Sequence, residues 1–538
     1  MKKFIIIRTS GSHAVGIGHI IRMKNLAYKL KKKSFDIIFL LDRNDIFIHK
    51  HLRNYKCLNI YNNINHLFNE TEDAIYSYKL IKNLNLNIKA IIIDDYRISK
   101  KWEQKLQKLN IPLFVFDDRD EVKHQCNMII DAKWTGEETF QRYRDKVPPQ
   151  CVKLLGPKYI ILNKPLIEKD NKLRVNKNNF NDLFSLGGGG DLNLLFSLTK
   201  HILKKISPYS KFKIFVIEGP YSKNSKKISK LSEKDNRLII INNLTSVMPL
   251  ISKMDLYVGA AGGTLFEALF FKIPSLTFSI SNNQINDLRN LEDIGHYFHL
   301  NNFNNKQVNE LSDLIILFYK NIERVKKLYS RKRKVNIDKS GSSRVVRAMV
   351  SYINNEKLIP NIPKMLNAPD RISLKKSVIK KINDKSINKY LDARNLQMNL
   401  AKMTERNPVS RLHHYNWWLQ NQREQYSLSQ NNKKILFIWH EEKVVGSYKV
   451  LIGGWFPCSK RCGALDIMKA LNWQLKYTSK KYKNIPWVAV IKKDNNFVNL
   501  LNKKFKFKLI LCEDPFFIIA AKCFPNANRD EFNYYIKT

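Results

Sequence analysis

Acidic side chains are scarce in this chain: 47 aspartates and glutamates stand against 94 lysines and arginines over 538 residues, a formal charge of +47. Such an excess raises a nucleic-acid partner as the first reading. The lysines, however, are spread along the whole chain, not gathered in one block with interleaved aromatics, and they are abundant together with asparagine and isoleucine, as an AT-rich genome produces. No specific nucleic-acid partner is therefore expected. A basic surface suits diphosphate ligands or an anionic membrane face equally well. Cysteine is also scarce. The seven present, an odd number without paired spacing, fit reduced thiols and argue against a disulfide framework. Cys458 and Cys462 are close, but no second ligand pair accompanies them, so no zinc module and no metal are expected. No apolar run approaches the roughly 20 residues of a membrane span. The opening Lys2-Lys3-Phe4-Ile5-Ile6-Ile7 is too short for a signal peptide and ends at Arg8. These absences lead to the expectation of a cytoplasmic protein with no membrane insertion. Internal repeats and long low-complexity tracts are lacking too.

Hydrophobic content is 44%, ordinary for a folded protein, and the length asks for two to four domains. Residues 1–165 alternate strands, such as Phe35–Leu41, Ile88–Ile93 and Leu113–Phe116, with helix-like stretches, the βαβ signature of a parallel sheet. A second α/β unit, 166–354, carries Asp182–Leu186, Phe212–Ile217 and Leu238–Ile241 as strands. Residues 355–372, with several prolines and no sustained periodicity, read as a linker, and 373–538 as a further domain. The expected class is α/β: two Rossmann-like lobes across a cleft, similar to nucleotide-sugar glycosyltransferases of the GT-B type, plus a C-terminal α+β domain.

Two strand–turn–helix segments carry the chemistry. In the first, Ile5-Ile6-Ile7-Arg8 leads through Gly16-Ile17-Gly18 to His19 and Arg22, with a helix expected at or just after the histidine. That places an imidazole at the carboxyl edge of a parallel sheet, where open α/β folds bind ligands, beside amides that favour an anion. The second runs from Met254 through Gly259-Ala260-Ala261-Gly262-Gly263-Thr264 into a helix holding Glu267, expected in its first turn. Its amides can approach a diphosphate, and Thr264 can cap or bond an oxygen. Both segments also read as ordinary turns, with a surface histidine in one and a dipole-facing glutamate in the other.

The segment Arg8 to Arg22 resembles the start of the UDP-sugar hydrolases that release UDP from a 2,4-diacetamido-2,4,6-trideoxy sugar in pseudaminic acid synthesis. Asp94-Asp95-Tyr96, Phe116-Asp117-Asp118 with His124, Cys126 and Asp131, and Leu154–Tyr159 are similar to further blocks of that family in order, and the resemblance reaches Gly341 and Arg344. It implies hydrolysis at the anomeric carbon, His19 as base and Tyr96 orienting substrate or water; a tyrosine merely packed at a strand end fits Tyr96 as well. It further implies sugar contacts from Arg8, Gly16, Gly18, Arg22, Asn283 and Gln284. UDP would lie against Gly187, Gly188, Gly262, Gly263 and Thr264. Glu267 resembles the acidic residue that holds the ribose there and in the peptidoglycan N-acetylglucosaminyltransferase. Three departures stand out: Ser10 for an aspartate, Asp95 for the histidine of Asp-His-Tyr, and the run Gly187–Gly190 for Gly-Gly-Ser/Thr-Asp. A GT-B glycosyltransferase with a non-catalytic C-terminal module is the alternative.

From Ser377 the pattern is similar to GNAT acetyltransferases of amino-sugar pathways, through Tyr390–Asn395, Val409–Trp418 and Ile435–Trp439, which is read as turning at Glu441-Glu442-Lys443 into Val444–Tyr448. The resemblance implies acetyl-CoA, held by Arg461, Gly463, Ala464 and Asn496, and an acceptor contact from His414, for which a core position beside Trp417 and Trp418 is the other reading. The pyrophosphate loop departs from the family, with one glycine at Lys460–Leu465.

Overall fold

Runs of isoleucine, leucine and phenylalanine build the first sheet, and they are continuous because both of its faces are covered. Its strands are β1 (Lys3–Thr9), β2 (Phe35–Arg43), β3 (Lys56–Tyr61), β4 (Ile88–Asp94), β5 (Leu113–Phe116), β6 (Met128–Asp131) and β7 (Val152–Leu155). All pair in parallel, in the order β3-β2-β1-β4-β5-β6-β7. Ile5, Ile7 and Phe39 enter one apolar cluster, while Ile6, Ile38 and Leu40 enter the cluster on the opposite face. The computed structural model describes residues 2–12, 16–61, 66–119, 121–162, 176, 178–187, 189–242, 244, 246–356 and 377–538. It divides into two compact units, 1–363 and 364–538. Most of the expected linker, 357–372, lies outside the described residues.

The second lobe holds β8 (Phe180–Ser185), β9 (Gly189–Asp191), β10 (Phe212–Glu218), β11 (Tyr221–Lys223), β12 (Leu238–Asn242), β13 (Leu256–Ala260), β14 (Ser275–Phe278) and β15 (Phe298–Leu300). Its main sheet is parallel, in the order β12-β10-β8-β13-β14-β15, and β9 pairs with β11 apart from it. Both lobes are therefore parallel-sheet α/β units. Each has a point where strand order reverses, β1/β4 in the first and β8/β13 in the second, and the loops leaving those strands diverge to open a crevice.

One helix departs from the expected division at 354. Gly341–Ile353 returns to the first lobe, where Val345, Val346 and Met349 share a cluster with Met23, Leu26 and Leu30 of the helix Gly18–Lys31. Its start is fixed by close approach: a Cβ on Gly341 would stand 2.1 Å from the carbonyl oxygen of Ile160. Arg344 donates to the Lys158 carbonyl at 2.9 Å and pairs with Asp338 at 2.6 Å.

Unit 364–538 is a mixed sheet of β16 (Ser377–Lys381), β17 (Glu424–Gln430), β18 (Lys433–Val445), β19 (Tyr448–Pro457), β20 (Trp487–Lys492), β21 (Lys508–Leu509) and β22 (Phe532–Lys537), in the order β16-β17-β18-β19-β20-β22-β21. The hairpin expected to turn at Glu441–Lys443 instead runs straight through those residues and turns at Gly446, whose φ of 62° suits glycine. All pairs are antiparallel except β19 with β20, which meet in parallel only at Leu451 and Trp487. Gly453 makes room there, since a Cβ would lie 2.8 Å from the Trp487 ring.

Candidate active site

The carboxyl edges of the two lobes face each other and touch on both flanks. On one, the Tyr221 hydroxyl donates to Asp45 at 2.9 Å. On the other, the Trp134 indole donates to Asp293 at 3.2 Å, and Gly136, with φ of 73°, sits where a Cβ would come within 2.7 Å of Asn290. Between the flanks the turn glycines border open space: a Cβ on Gly16, Gly18, Gly187 or Gly263 would meet nothing within 4 Å.

His19 is the second residue of its helix, which begins at Gly18, one residue before the histidine. Its Nδ1 lies 2.6 Å from Oδ1 of Asp94, the last residue of β4. Arg22, one turn on and on the same helix face, donates through Nε to Asp94 Oδ2 at 2.8 Å. Burial favours the neutral acid, but the Arg22 guanidinium and His19 outweigh it and hold the Asp94 carboxyl below its usual range. In the neutral imidazole tautomer with its proton on Nδ1, the ionised Asp94 accepts that proton and Nε2 carries the lone pair. Tyr96 meets the imidazole edge-on, ring centroids 4.4 Å apart, and burial followed by the Asp118 carboxylate pushes its hydroxyl far above the ordinary range. The sequence reading named His19, Arg22 and Tyr96, and the structure brings them together. It missed Asp94 as their hub. The available signal was that β4 and β6 each end in an aspartate, that Asp42 is the last residue but one of β2, and that Asp117 directly follows β5.

Arg8 is a correction. Expected at the sugar, it is fully buried, with Nε and Nη2 on the two oxygens of Asp73 at 3.2 and 2.7 Å and Nη1 on Asp95 at 3.2 Å. Side chains alternate along a strand, and Arg8 points to the same face of β1 as Ile6, where Asp73 of the covering helix Glu70–Asn83 meets it. Asp95, in turn, pairs with Arg97 at 2.6 Å, and Arg97 reaches Asp42 at 2.8 Å. His124 anchors a third network: Nδ1 lies 2.6 Å from Glu103, and Nε2 is 3.4 Å from Asp117, an ion-pair contact more than a hydrogen bond. Burial would lower its pKa, yet the two carboxylates raise it to about 9.

In the second lobe Gly187, with φ of 83°, follows β8, and its amide donates to the Ser185 hydroxyl at 3.0 Å. Gly262 caps the helix Gly263–Phe270, whose second residue is Thr264. Glu267 lies in the second turn of that helix, not the first, and is buried. The Gln284 amide nitrogen would lie 3.8 Å from a Cβ on Gly262, so that side chain stands at the helix start. Gly188 lies outside the described residues, and Asn283 is placed only by its backbone, in the turn Asn282–Gln284.

In the other unit His414 is a correction as well. It is 4% exposed, its Nε2 lies 2.9 Å from the Ile387 carbonyl, and Tyr390, Trp417 and Trp418 surround it. Burial lowers its pKa to about 3, so it is a neutral core histidine. Gly463 precedes the helix Ala464–Lys481, Arg461 is exposed, and Asn496 opens the helix Asn496–Lys504. The Gly463 amide already donates to Asp466 at 3.2 Å. Among the described residues no cluster of ligating side chains could hold a metal, and no helix is long and apolar enough to cross a membrane.

No known family model matches the chain. Over 279 residues, 50% of its length, it is 27% identical to an uncharacterized protein of Methanocaldococcus jannaschii, the match spanning 54% of that protein. Over 290 residues, 54% of its length, it is 21% identical to the spore coat polysaccharide biosynthesis protein SpsG of Bacillus subtilis, spanning 81% of it. The chain thus spans about half the length of the first relative and four fifths of the second. Similar solved structures include UDP-GlcNAc 2-epimerase from Neisseria meningitidis bound to UDP-GlcNAc, 13% identical with a TM-score of 0.45, covering 65% of this chain and 100% of that one. Acinetobacter baumannii MurG is 15% identical with a TM-score of 0.41, covering 65% and 99%.

Proposed function

We propose that this chain hydrolyses a UDP-linked diacetamido-trideoxy sugar at its anomeric carbon and releases UDP, in the assembly of a nonulosonic-acid-type surface glycan. The observation that carries this reading is the buried His19–Asp94 pair at the β1/β4 reversal, reached through turn glycines, Gly16 and Gly18, around which a Cβ would meet nothing within 4 Å. Water is the nucleophile. Nε2 takes one of its protons as the oxygen bonds to the anomeric carbon, and the bond from that carbon to the phosphate oxygen breaks, UDP leaving with the electron pair. Asp94 balances the imidazolium that forms. The amides at Gly262–Gly263 and the turn at Gly187 supply the diphosphate cradle, with Glu267 toward the ribose. The part that SpsG takes in a polysaccharide pathway agrees with this reading.

Unit 364–538 is proposed as an amino-sugar N-acetyltransferase-like domain using acetyl-CoA, which supplies an acetyl thioester when bound. Its support is the parting of β19 from β20. Beyond Leu451 and Trp487 each strand keeps its outer partner, while the inner edges face no strand among the described residues. Those edges offer backbone donors and acceptors to an extended ligand. The helices Ala464–Lys481 and Asn496–Lys504 follow the two strands, so their N-termini open beyond the parted ends. Asp466 at the first of them fits an anion poorly. Acetylation of a 4-amino UDP-sugar would make the substrate that the other unit cleaves.

The test is UDP release from UDP-2,4-diacetamido-2,4,6-trideoxy-altrose by the full chain, beside His19→Ala. Release that disappears in the variant supports the hydrolase. No release from folded protein overturns it, and release only on adding a sugar acceptor marks a glycosyltransferase.

A further inference from the structure

Buried polar side chains are out of place in a sheet covered on both faces, where strands run apolar. Three of them meet at one edge of the second sheet. Thr277 of β14 and His296 are fully buried, and His299 of β15 is buried too. Thr277 and His299 stand directly opposite each other in the pairing of β14 with β15. The Thr277 hydroxyl lies 2.7 Å from Nε2 of His296 and 2.9 Å from Nδ1 of His299. Beyond that ring, Nε2 of His299 lies 3.1 Å from the Ser279 hydroxyl, which donates to the Gln284 carbonyl at 3.0 Å. Four side chains thus form one hydrogen-bonded chain from the interior to the turn Asn282–Gln284.

With neutral imidazoles the chain has a single polarity. A carbonyl only accepts, so the one Ser279 proton goes to Gln284. Ser279 then accepts from Nε2–H of His299, whose Nδ1 lone pair takes the Thr277 proton. Thr277 in turn accepts from Nε2–H of His296. His296 Nδ1 is left as a bare lone pair, in agreement with its having no hydrogen-bond partner, and burial keeps this imidazole neutral. No member can turn away without leaving a buried neighbour unpaired.

The chain ends on a side chain that holds a donor at the crevice. The loop leaving β14 runs beside the loop leaving β13, and the Ala261 amide donates to the Phe278 carbonyl at 3.3 Å. Within the turn, Oε1 of Gln284 accepts from the Ile280 amide at 3.1 Å. A backbone N–H needs an acceptor, so the oxygen is fixed there and Nε2 is turned the other way. Nε2 stands 3.8 Å from where a Cβ on Gly262 would be, at the cap of the helix Gly263–Phe270.

We propose that Thr277, His299 and Ser279 are positioning residues for the nucleotide-sugar site, and that through Gln284 they hold an amide donor on the diphosphate. The inference rests on the reading of Gly262–Gly263 as the diphosphate cradle. Gln284 touches the ligand, at the diphosphate in place of the sugar expected from sequence, and the other three act through it.

UDP is titrated calorimetrically into the full chain and into variants whose circular dichroism is unaltered. Gln284→Ala should weaken UDP by about tenfold or more, the range for a hydrogen bond to a charged group. Thr277→Val keeps the shape and removes the hydroxyl, while Ser279→Ala cuts the chain at its outer end. Each should weaken UDP severalfold, and Thr277→Ser, which keeps the hydroxyl, should match the parent. In a Gln284→Ala background neither Thr277→Val nor Ser279→Ala should cost further affinity, because their effect passes through that side chain. A merely structural role would lower the unfolding midpoint and leave the losses additive. Additive losses, unaltered affinity in Gln284→Ala, or unaltered affinity in both Thr277→Val and Ser279→Ala overturn the positioning role while the nucleotide reading stands. No UDP binding by the folded parent overturns that reading, and the inference falls with it.

Discussion

Nδ1 of His19 and Oδ1 of Asp94, 2.6 Å apart, come from opposite sides of the point where the first sheet reverses its strand order. One arrives on a helix start after β1 and the other on the end of β4, so the pair exists only once both βα units are packed. Asp94→Asn should therefore behave like His19→Ala, lowering kcat for UDP release by about a hundredfold or more, the usual range for a lost general base. KM should change little in both, because neither residue is placed at the diphosphate. A steady-state comparison of the two variants checks this, and an unchanged kcat in Asp94→Asn would remove the aspartate from the mechanism.

Arg8 gives the opposite pattern. Arg8→Gln leaves Asp73 buried without its cation and Asp95 with Arg97 alone, which should cost about 3–5 kcal/mol of stability in urea unfolding. The fraction still folded should keep the parent KM. A raised KM with unaltered stability would return Arg8 to the sugar.

His124 sets a pH window. Its folded pKa, about 9, lies above the ordinary 6.5, so the contribution is complete below about pH 6.5 and is lost as pH rises through 9. The amplitude is on the order of 3 kcal/mol. Thermal unfolding midpoints should fall between pH 7 and 9.5 in the parent, and His124→Gln should flatten that decline while lowering the plateau.

At the start of the helix Ala464–Lys481, Asp466 occupies the Gly463 amide that a pyrophosphate would need. Asp466→Asn removes a negative charge from a helix N-terminus, an effect of about 0.3–1 kcal/mol, and should tighten acetyl-CoA binding by roughly two- to fivefold in calorimetry. Weaker binding in the variant would place the pyrophosphate elsewhere.

Gly341→Ala forces a methyl against the Ile160 carbonyl. Overpacking of this kind costs about 1–3 kcal/mol, and a lower unfolding midpoint with unchanged KM is expected.

Much of this architecture was legible. The apolar strand runs and the glycine turns locate both parallel sheets, the strand–turn–helix pattern points to His19, and the family resemblance adds Arg22 and Tyr96. What escaped was orientation. Arg8 and His19 both stand near the carboxyl end of β1, and only the alternation of strand faces and the helix register decide that Arg8 pairs with Asp73 under a covering helix while His19 pairs with Asp94 at the sheet edge. Asp94 was read as part of a motif with a missing histidine, because its role depends on a partner 75 residues away. His414 sat on a face whose aromatic neighbours, Tyr390 included, come from different elements. The hairpin turn at Gly446 was placed too early, since the charged stretch Glu441-Glu442-Lys443 looks like a loop yet lies in a long two-stranded ribbon.

The return of the helix Gly341–Ile353 onto the helix Gly18–Lys31 has a consequence for synthesis. The apolar stripe of Met23, Leu26 and Leu30 emerges from the ribosome early, but Val345, Val346 and Met349, which share its cluster, follow only after the whole second lobe. At cellular elongation rates that interval is on the order of tens of seconds. A nascent first lobe must spend it with an uncovered greasy surface, so production of this chain should depend on chaperone supply, and a fragment ending before residue 341 should aggregate where the intact unit stays dispersed.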